Sequence, residues 1–276
     1  MDIVKFPRTP HVEGSRVQAG DEDLQIVPLA SLWGKHIVVE EKIDGANSGM
    51  SFDPARKLHL QSRGHLLTGG PRETQFTLFK QWAATHADRF RDALGDRYVA
   101  YGEWMYTKHT VFYDRLPHYW MEFDVLDKDR SDLEAYGANR HDVNQLWFLD
   151  TPSRAALLNG LPYVAVRVLW SGIWLRGMRF EGLMKPSHFK SPQWRGRLQR
   201  EVANLGYDWD LIWTHTDHSN LMEGVYIKWE ENGRVMGRYK FIRADFISLI
   251  ADDQVHCTNL PTTRNVLADG VNLFAF

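Results

Sequence analysis

A single cysteine, a nearly balanced charge and no long apolar run are the first features of this 276-residue chain. Cys257 alone cannot make an internal disulfide, which excludes disulfide-stapled scaffolds and fits a reducing compartment. No stretch approaches the roughly 20 apolar residues that cross a bilayer, and Met1–Gly14 lacks the apolar core of a secretion signal. The expectation is a cytoplasmic protein with no membrane partner. Formal net charge is −2, so no global basic field advertises a polyanion. A local basic groove stays open, because phosphate contacts depend on where Lys and Arg lie. Repeats, low-complexity tracts and obvious linkers are absent too.

What is present is ordinary globular material, 43% apolar and 25% charged, enough to bury one large core or two small ones. Residues 1–36 read as an irregular lead-in broken by Pro7, Pro10, Gly14, Gly20 and Pro28. The β-branched run Ile37-Val38-Val39 opens a strand over 37–42. Alternation from Ser48 to Phe52, a turn at Asp53-Pro54 and a run from Lys57 to Arg63 form a hairpin. Phe76, Phe79, Trp82, Ala83, Phe90 and Leu94 recur at helical spacing, so Pro71–Leu94 is read as one helical segment ended by Gly95.

Strands follow at Tyr98–Trp104 and Tyr119–Leu126, then a helix over Ser131–Trp147 interrupted at Gly137. Thr151-Pro152 is read as N-cap and first turn of a short helix to Asn159, Tyr163–Leu169 as a strand, and Ser191-Pro192 as the start of a helix to Leu205. Strands at 223–229 and 235–242 are joined by Glu231-Asn232-Gly233, whose Asn-Gly is a strong hairpin signal. Phe246, Leu249 and Ile250 suggest a helix opening the last segment. The class expected is α+β, built on antiparallel sheet.

Lys42 ends the first strand and is followed at once by Ile43-Asp44-Gly45-Ala46-Asn47. An amine at a strand end, against a glycine turn, is well placed to meet a ligand. Free lysine has a pKa near 10.4, so only about a few in ten thousand are unprotonated at neutral pH. A lysine nucleophile needs nearby cations, a metal or desolvation. Lys228, Arg238 and Lys240 on the closing hairpin are candidate neighbours, and Arg238 and Lys240, two apart, share one strand face. Together these segments suggest a lysine acting on a nucleotide phosphate.

The segment Lys42-Ile43-Asp44-Gly45 resembles motif I of the covalent nucleotidyltransferases, the ATP-dependent ligases and capping enzymes, and Asn47 narrows the likeness to nick-sealing, phage-type RNA ligases. Ser62-Arg63-Gly64, Tyr101-Gly102-Glu103, Glu122-Phe123-Asp124, Glu223–Lys228 and Arg238-x-Lys240 are similar to the later motifs, in order. Arginine at 238 departs from the usual lysine, and a guanidinium is not interchangeable with an ammonium. The resemblance implies an antiparallel-sheet, ATP-grasp-like adenylation domain over residues 1–243 with flanking helices and no OB-fold, residues 244–276 packing on the same domain.

It implies an RNA ligase that forms lysyl-AMP on Lys42, passes AMP to a 5′-phosphate and seals it to a 3′-hydroxyl. Catalysis would fall to Lys42, Glu103, Glu223, Lys228 and Lys240. ATP, the AMP donor, would be held by Glu41, Lys42, Asn47, Arg63, Glu103, Phe123, Glu223, Lys228, Arg238 and Lys240, with Phe123 against adenine. Asp44, Glu103 and Glu223 would hold Mg²⁺ through water, with Mn²⁺ as a substitute. RNA ends and ATP are the partners implied, with an end-healing kinase or phosphatase as a further one.

Blander readings stand beside these. Asp44 is also a turn residue, Phe123 also a core residue, and Glu103 also an edge-strand charge. Phe180–Lys185 repeats Glu-Gly-then-Lys at shorter spacing, without a following basic strand, and is read as structural. Arg195, Arg197 and Arg200 form a solvated helix face or an RNA guide. Lys108, His109 and His118 border a substrate or simply form a loop. A DNA or mixed ligase, and a silent nucleic-acid-binding relative, are the alternative functions.

Overall fold

The computed structural model describes residues 3–139, 143–247 and 262–275. In chain order the elements are β1 (His11–Val12), β2 (Ile26–Val27), β3 (His36–Lys42), β4 (Ala46–Phe52), β5 (Leu58–Ser62), α1 (Thr77–Thr85), α2 (Ala87–Leu94), β6 (Tyr98–Trp104) and β7 (Trp120–Asp127). There follow α3 (Leu133–Ala138), β8 (Trp147–Phe148), α4 (Thr151–Leu157), β9 (Val164–Ala165), β10 (Val168–Ile173), α5 (Trp194–Leu205), α6 (Trp209–Thr214), β11 (Gly224–Glu231) and β12 (Arg234–Ile242).

Two mainly antiparallel sheets carry the chain. The first runs β10-β3-β11-β12-β1-β2, and the second β5-β4-β6-β7-β8 with β9 parallel to β7. Alternation sorts their faces. On β3, Ile37 and Val39 pack outward with Trp174, Phe180, Val225 and Ile227, while Glu40 and Lys42 point the other way, toward the second sheet. That sheet buries Ala100, Trp104 and Trp120 under Phe79, Trp82 and Phe90 of α1 and α2. The inner faces meet through Phe6, Tyr101, Phe123 and Tyr226, with charges among them. α5 and α6 form a separate aromatic cluster with Phe112.

The hairpin turn is as the Asn-Gly pair dictates: Asn232 and Gly233 take φ of 53° and 80°, the mirror-image turn that matches strand twist. Several expectations are corrected. The Pro71–Leu94 segment begins as a 3-10 turn and breaks at His86, where φ −108° and ψ 11° leave the helix, giving α1 and α2. Among the described residues Ser131–Trp147 is α-helical only over α3, with a 3-10 turn at Val143–Gln145, and Trp147 is already in a strand. The α4 cap is Asp150, whose side chain accepts from the Ser153 amide, so Thr151 is the first helical residue.

Tyr163–Leu169 is not one strand: β9 joins the second sheet and β10 the first. The lead-in is not wholly irregular, since β1 and β2 extend the first sheet. The expected C-terminal helix leaves only Phe246 among the described residues, in no helix. Leu249, Ile250 and Cys257 lie outside the described residues. No helix among those described is long and apolar enough to cross a membrane.

Candidate active site

Strand register assembles the site. Lys42, last on β3, lies opposite Gly224 on β11, which places Glu223 beside it. On the other sheet Asn47 of β4 pairs directly with Glu103 of β6. The β3–β4 link Ile43-Asp44-Gly45 passes from one sheet to the other, so the two pairs face a common space. Two glycines permit the approach: a Cβ on Gly224 would lie 2.1 Å from the Phe241 carbonyl, and one on Gly45 would lie 2.8 Å from the Trp104 carbonyl. Neither has a positive φ. Close packing, rather than turn geometry, requires them.

The space is a cavity of about 360 Å³. Lys42, Asp44, Asn47, Arg63, Glu103, Phe123, Glu223 and Lys240 all line it, and Glu41 contributes to its wall. The Lys42 ammonium sits 2.8 Å from Glu223 Oε1, with its side chain 23% exposed. Burial alone would push the Lys42 pKa down, but Glu223, Glu103 and Asp44 outweigh it and hold the amine above the ordinary lysine range. Burial pushes Glu103 up to about 7, against the pull of Lys42 and Arg63, and raises Glu223 as well. Asn47 Oδ1 and Glu223 Oε2 are buried without a hydrogen-bond partner.

Asp44 is held by backbone. Its Oδ2 accepts from the Thr110 and Val111 amides at 2.7 and 2.9 Å, and its own amide donates to Tyr113 Oη at 2.9 Å. His109 Nδ1 stands 3.8 Å from its other oxygen, and Lys108 donates to the carbonyls of His109 and His215. Burial pushes Lys108 down to about 8. The Glu41 carboxylate accepts from Ser187 Oγ at 2.5 Å and the His188 amide at 3.3 Å, and burial pushes it up to about 7.

Lys228 and Arg238 are placed differently. Lys228 donates to the Phe123 carbonyl and pairs with Glu40 at 2.8 Å, and Arg238 pairs with Asp124 at 3.0 Å over the Phe148 ring. With Arg154, 2.7 Å from Glu40, and Glu122, they form a buried ion network that backs the cavity, with Glu40 on its wall. Lys240 donates to Asp21 of the lead-in, which Arg8 and His11 also contact.

Most of the chain, residues 35–242, matches the family model described as RNA ligase. The chain belongs to the RNA ligase family. A comparison with curated protein sequences finds no match. Among solved structures it is similar to a Naegleria gruberi RNA ligase variant with AMP and Mn (14% identity, TM-score 0.50, covering 87% of this chain and 56% of that one). It is also similar to a variant of that ligase with ATP and Mn (15%, 0.48, 88% and 56%) and to an archaeal ATP-dependent RNA ligase (16%, 0.45, 87% and 48%). At these identities the first likeness is one of fold alone. This RNA ligase-family chain spans about half the length of the structures it matches.

Sequence reasoning missed Asp21, Glu40 and Arg154. A signal for one of them exists: Glu40, beside Glu41, interrupts an apolar run, and acids in a central strand need buried partners. Arg154 supplies one, from a helix 114 residues away in sequence.

Proposed function

We propose that this chain is an ATP-dependent RNA ligase joining a 5′-phosphate to a 3′-hydroxyl through lysyl-AMP and adenylylated RNA. The observation that carries the reading is Lys42, an amine 2.8 Å from Glu223 in a cavity also lined by Asp44, Asn47, Glu103 and Lys240. In the first step its nitrogen attacks the α-phosphorus of ATP, the bond to the bridging oxygen breaks, and pyrophosphate leaves. The RNA 5′-phosphate then displaces the lysine and takes AMP. Finally the 3′-hydroxyl oxygen attacks that 5′-phosphorus, AMP departs, and the hydroxyl proton is lost to solvent. Each step is a displacement at phosphorus, so positioning and charge compensation are the protein's main contributions.

In the state described here the three acids keep Lys42 protonated, so the first step requires their charge to be met by something else. Asp44, Glu103 and Glu223 would hold a Mg²⁺, or a substituting Mn²⁺, through water; its charge would lower the lysine pKa. The unpartnered oxygens of Glu223 and Asn47 fit that role. Phe123, half-buried on the wall, would pack on the base, Arg63 at the rim would meet the RNA end, and Lys240 a phosphate. Lys228 and Arg238 would act through Glu40 and Asp124.

The adenylation domain proposed is residues 1–243, with 244–276 packing back on it, in a cytoplasmic setting where a kinase or phosphatase prepares the ends. Incubation with ATP labelled in its α-phosphate and Mg²⁺ should label the protein, far better than GTP, and Lys42→Ala should abolish the label. No adduct under any divalent metal favours a silent nucleic-acid binder. Sealing across nicked duplexes with RNA or DNA on each side separates an RNA ligase from a DNA or mixed one.

A further inference from the structure

Asp44 depends on a loop, and that loop depends on a segment much further along the chain. Residues 105–116 give Asp44 its partners: the Thr110 and Val111 amides and the Tyr113 hydroxyl. Residues 263–268 run alongside this loop and bond to it through backbone: Lys108 N to Thr263 O, Asn265 N to Tyr106 O, Val266 N to Tyr113 O, and Leu116 N to Val266 O. Asn265 is 1% exposed. Its Oδ1 accepts from the Tyr113 amide at 2.9 Å, and its Nδ2 donates to the Met105 carbonyl at 2.7 Å and more weakly to Thr107 O at 3.4 Å.

Tyr119 Oη donates to the Asn265 carbonyl at 2.9 Å. The Asn265 carboxamide therefore ties Met105, whose sulfur fills the space a side chain on Gly45 would need, to Tyr113, whose hydroxyl takes the Asp44 amide. One amide side chain thereby joins the two stretches of the loop that adjoin Asp44 and Gly45.

We propose that residues 263–268 are a strap over the 105–116 loop, and that Asn265 is a positioning residue for Asp44 and, through it, for Lys42. This rests on the ligase reading above. Residues at one remove from reacting groups typically change function by about 10–100-fold when removed. Asn265→Ala should slow lysyl-AMP formation by about that factor and raise the Mg²⁺ concentration for half-maximal rate.

A bond that merely stabilises the fold would slow the reaction equally whether or not Asp44 is present, whereas a positioning bond would not. In an Asp44→Ala background, Asn265→Ala should therefore cost less than about 2-fold more. Losses that multiply across the two variants, or an Asn265→Ala protein that labels like wild type, overturn the proposal. Hydrogen exchange gives a readout that needs no chemistry: the Thr110 and Val111 amides should exchange faster in Asn265→Ala. Unlabelled wild type with faster exchange in the variant would sink the ligase reading while leaving the strap. If Asn265→Ala does not fold, Tyr113→Phe, which removes the acceptor of the Asp44 amide, should show the same coupling to Asp44→Ala, and independent losses there count against the proposal equally.

Discussion

Two residues apart on β3, Glu40 and Lys42 belong to opposite kinds of charge cluster. Behind the cavity, Arg154, Lys228 and Arg238 stand against Glu40, Glu122 and Asp124, all of them 5% exposed or less. Opposite charges in that group lie 2.7 to 3.6 Å apart. In the cavity Lys42 faces Asp44, Glu103 and Glu223, one cation against three acids. The first cluster is balanced and closed; the second is short of positive charge and open. A buried acid excess is unfavourable by itself, and it suits a site whose missing charge arrives with a ligand. The closed cluster holds the sheets in register so that the open one keeps its shape.

Breaking the closed cluster should cost most in stability. Arg154→Ala leaves Glu122 without its ion partner and Glu40 with Lys228 alone in the interior, and we expect a loss of about 3–5 kcal/mol, read from urea unfolding. An equal loss of ATP labelling without destabilisation would erase the distinction between the clusters. Glu223→Ala in the open cluster should slow lysyl-AMP formation by about 10²–10³ while leaving the urea midpoint at or above that of wild type, because an unsatisfied carboxyl oxygen is removed with it.

Glu41 tests the cost of burial across the strand. Its pKa is raised to about 7, so the native state holds its proton where the unfolded chain has released it. Its stabilisation is full below the unfolded value and fades as pH rises through about 7. Glu41→Gln should then gain on wild type by up to about 3 kcal/mol between pH 5 and 8, at about 1.4 kcal/mol per pKa unit; a pH-independent difference would contradict it. The smallest effect belongs to the surface. Arg8 pairs with Asp21 and Asp23 while 38% exposed, and Arg8→Ala should change stability by about 1 kcal/mol or less.

Legibility followed locality. The Asn232-Gly233 turn, the β4–β5 hairpin and the strand ending in Lys42 are local signals, and each has its structural counterpart. Lys42, Asp44, Asn47, Glu103 and Glu223 line one cavity because spaced motifs on separate strands converge through register, which motif order reflects without stating distances. Asp21, Arg154 and Asn265 carry no motif. Their meaning comes from partners 219, 114 and 152 residues away. Apolar runs hide topology as well. Tyr163–Leu169 reads as one strand because both of its halves are extended, yet each half answers to a different sheet.

That divided segment has a mechanical consequence. Val166 N bonds to the Glu122 carbonyl in one layer, and Glu41 N bonds to the Arg167 carbonyl in the other. Ala165 and Val168, the nearest ends of β9 and β10, can never stand more than about 11 Å apart. The layers are thus tied together at this point as well as through Ile43-Asp44-Gly45, and the lead-in residues Gln18–Asp21 line the cavity that both layers share.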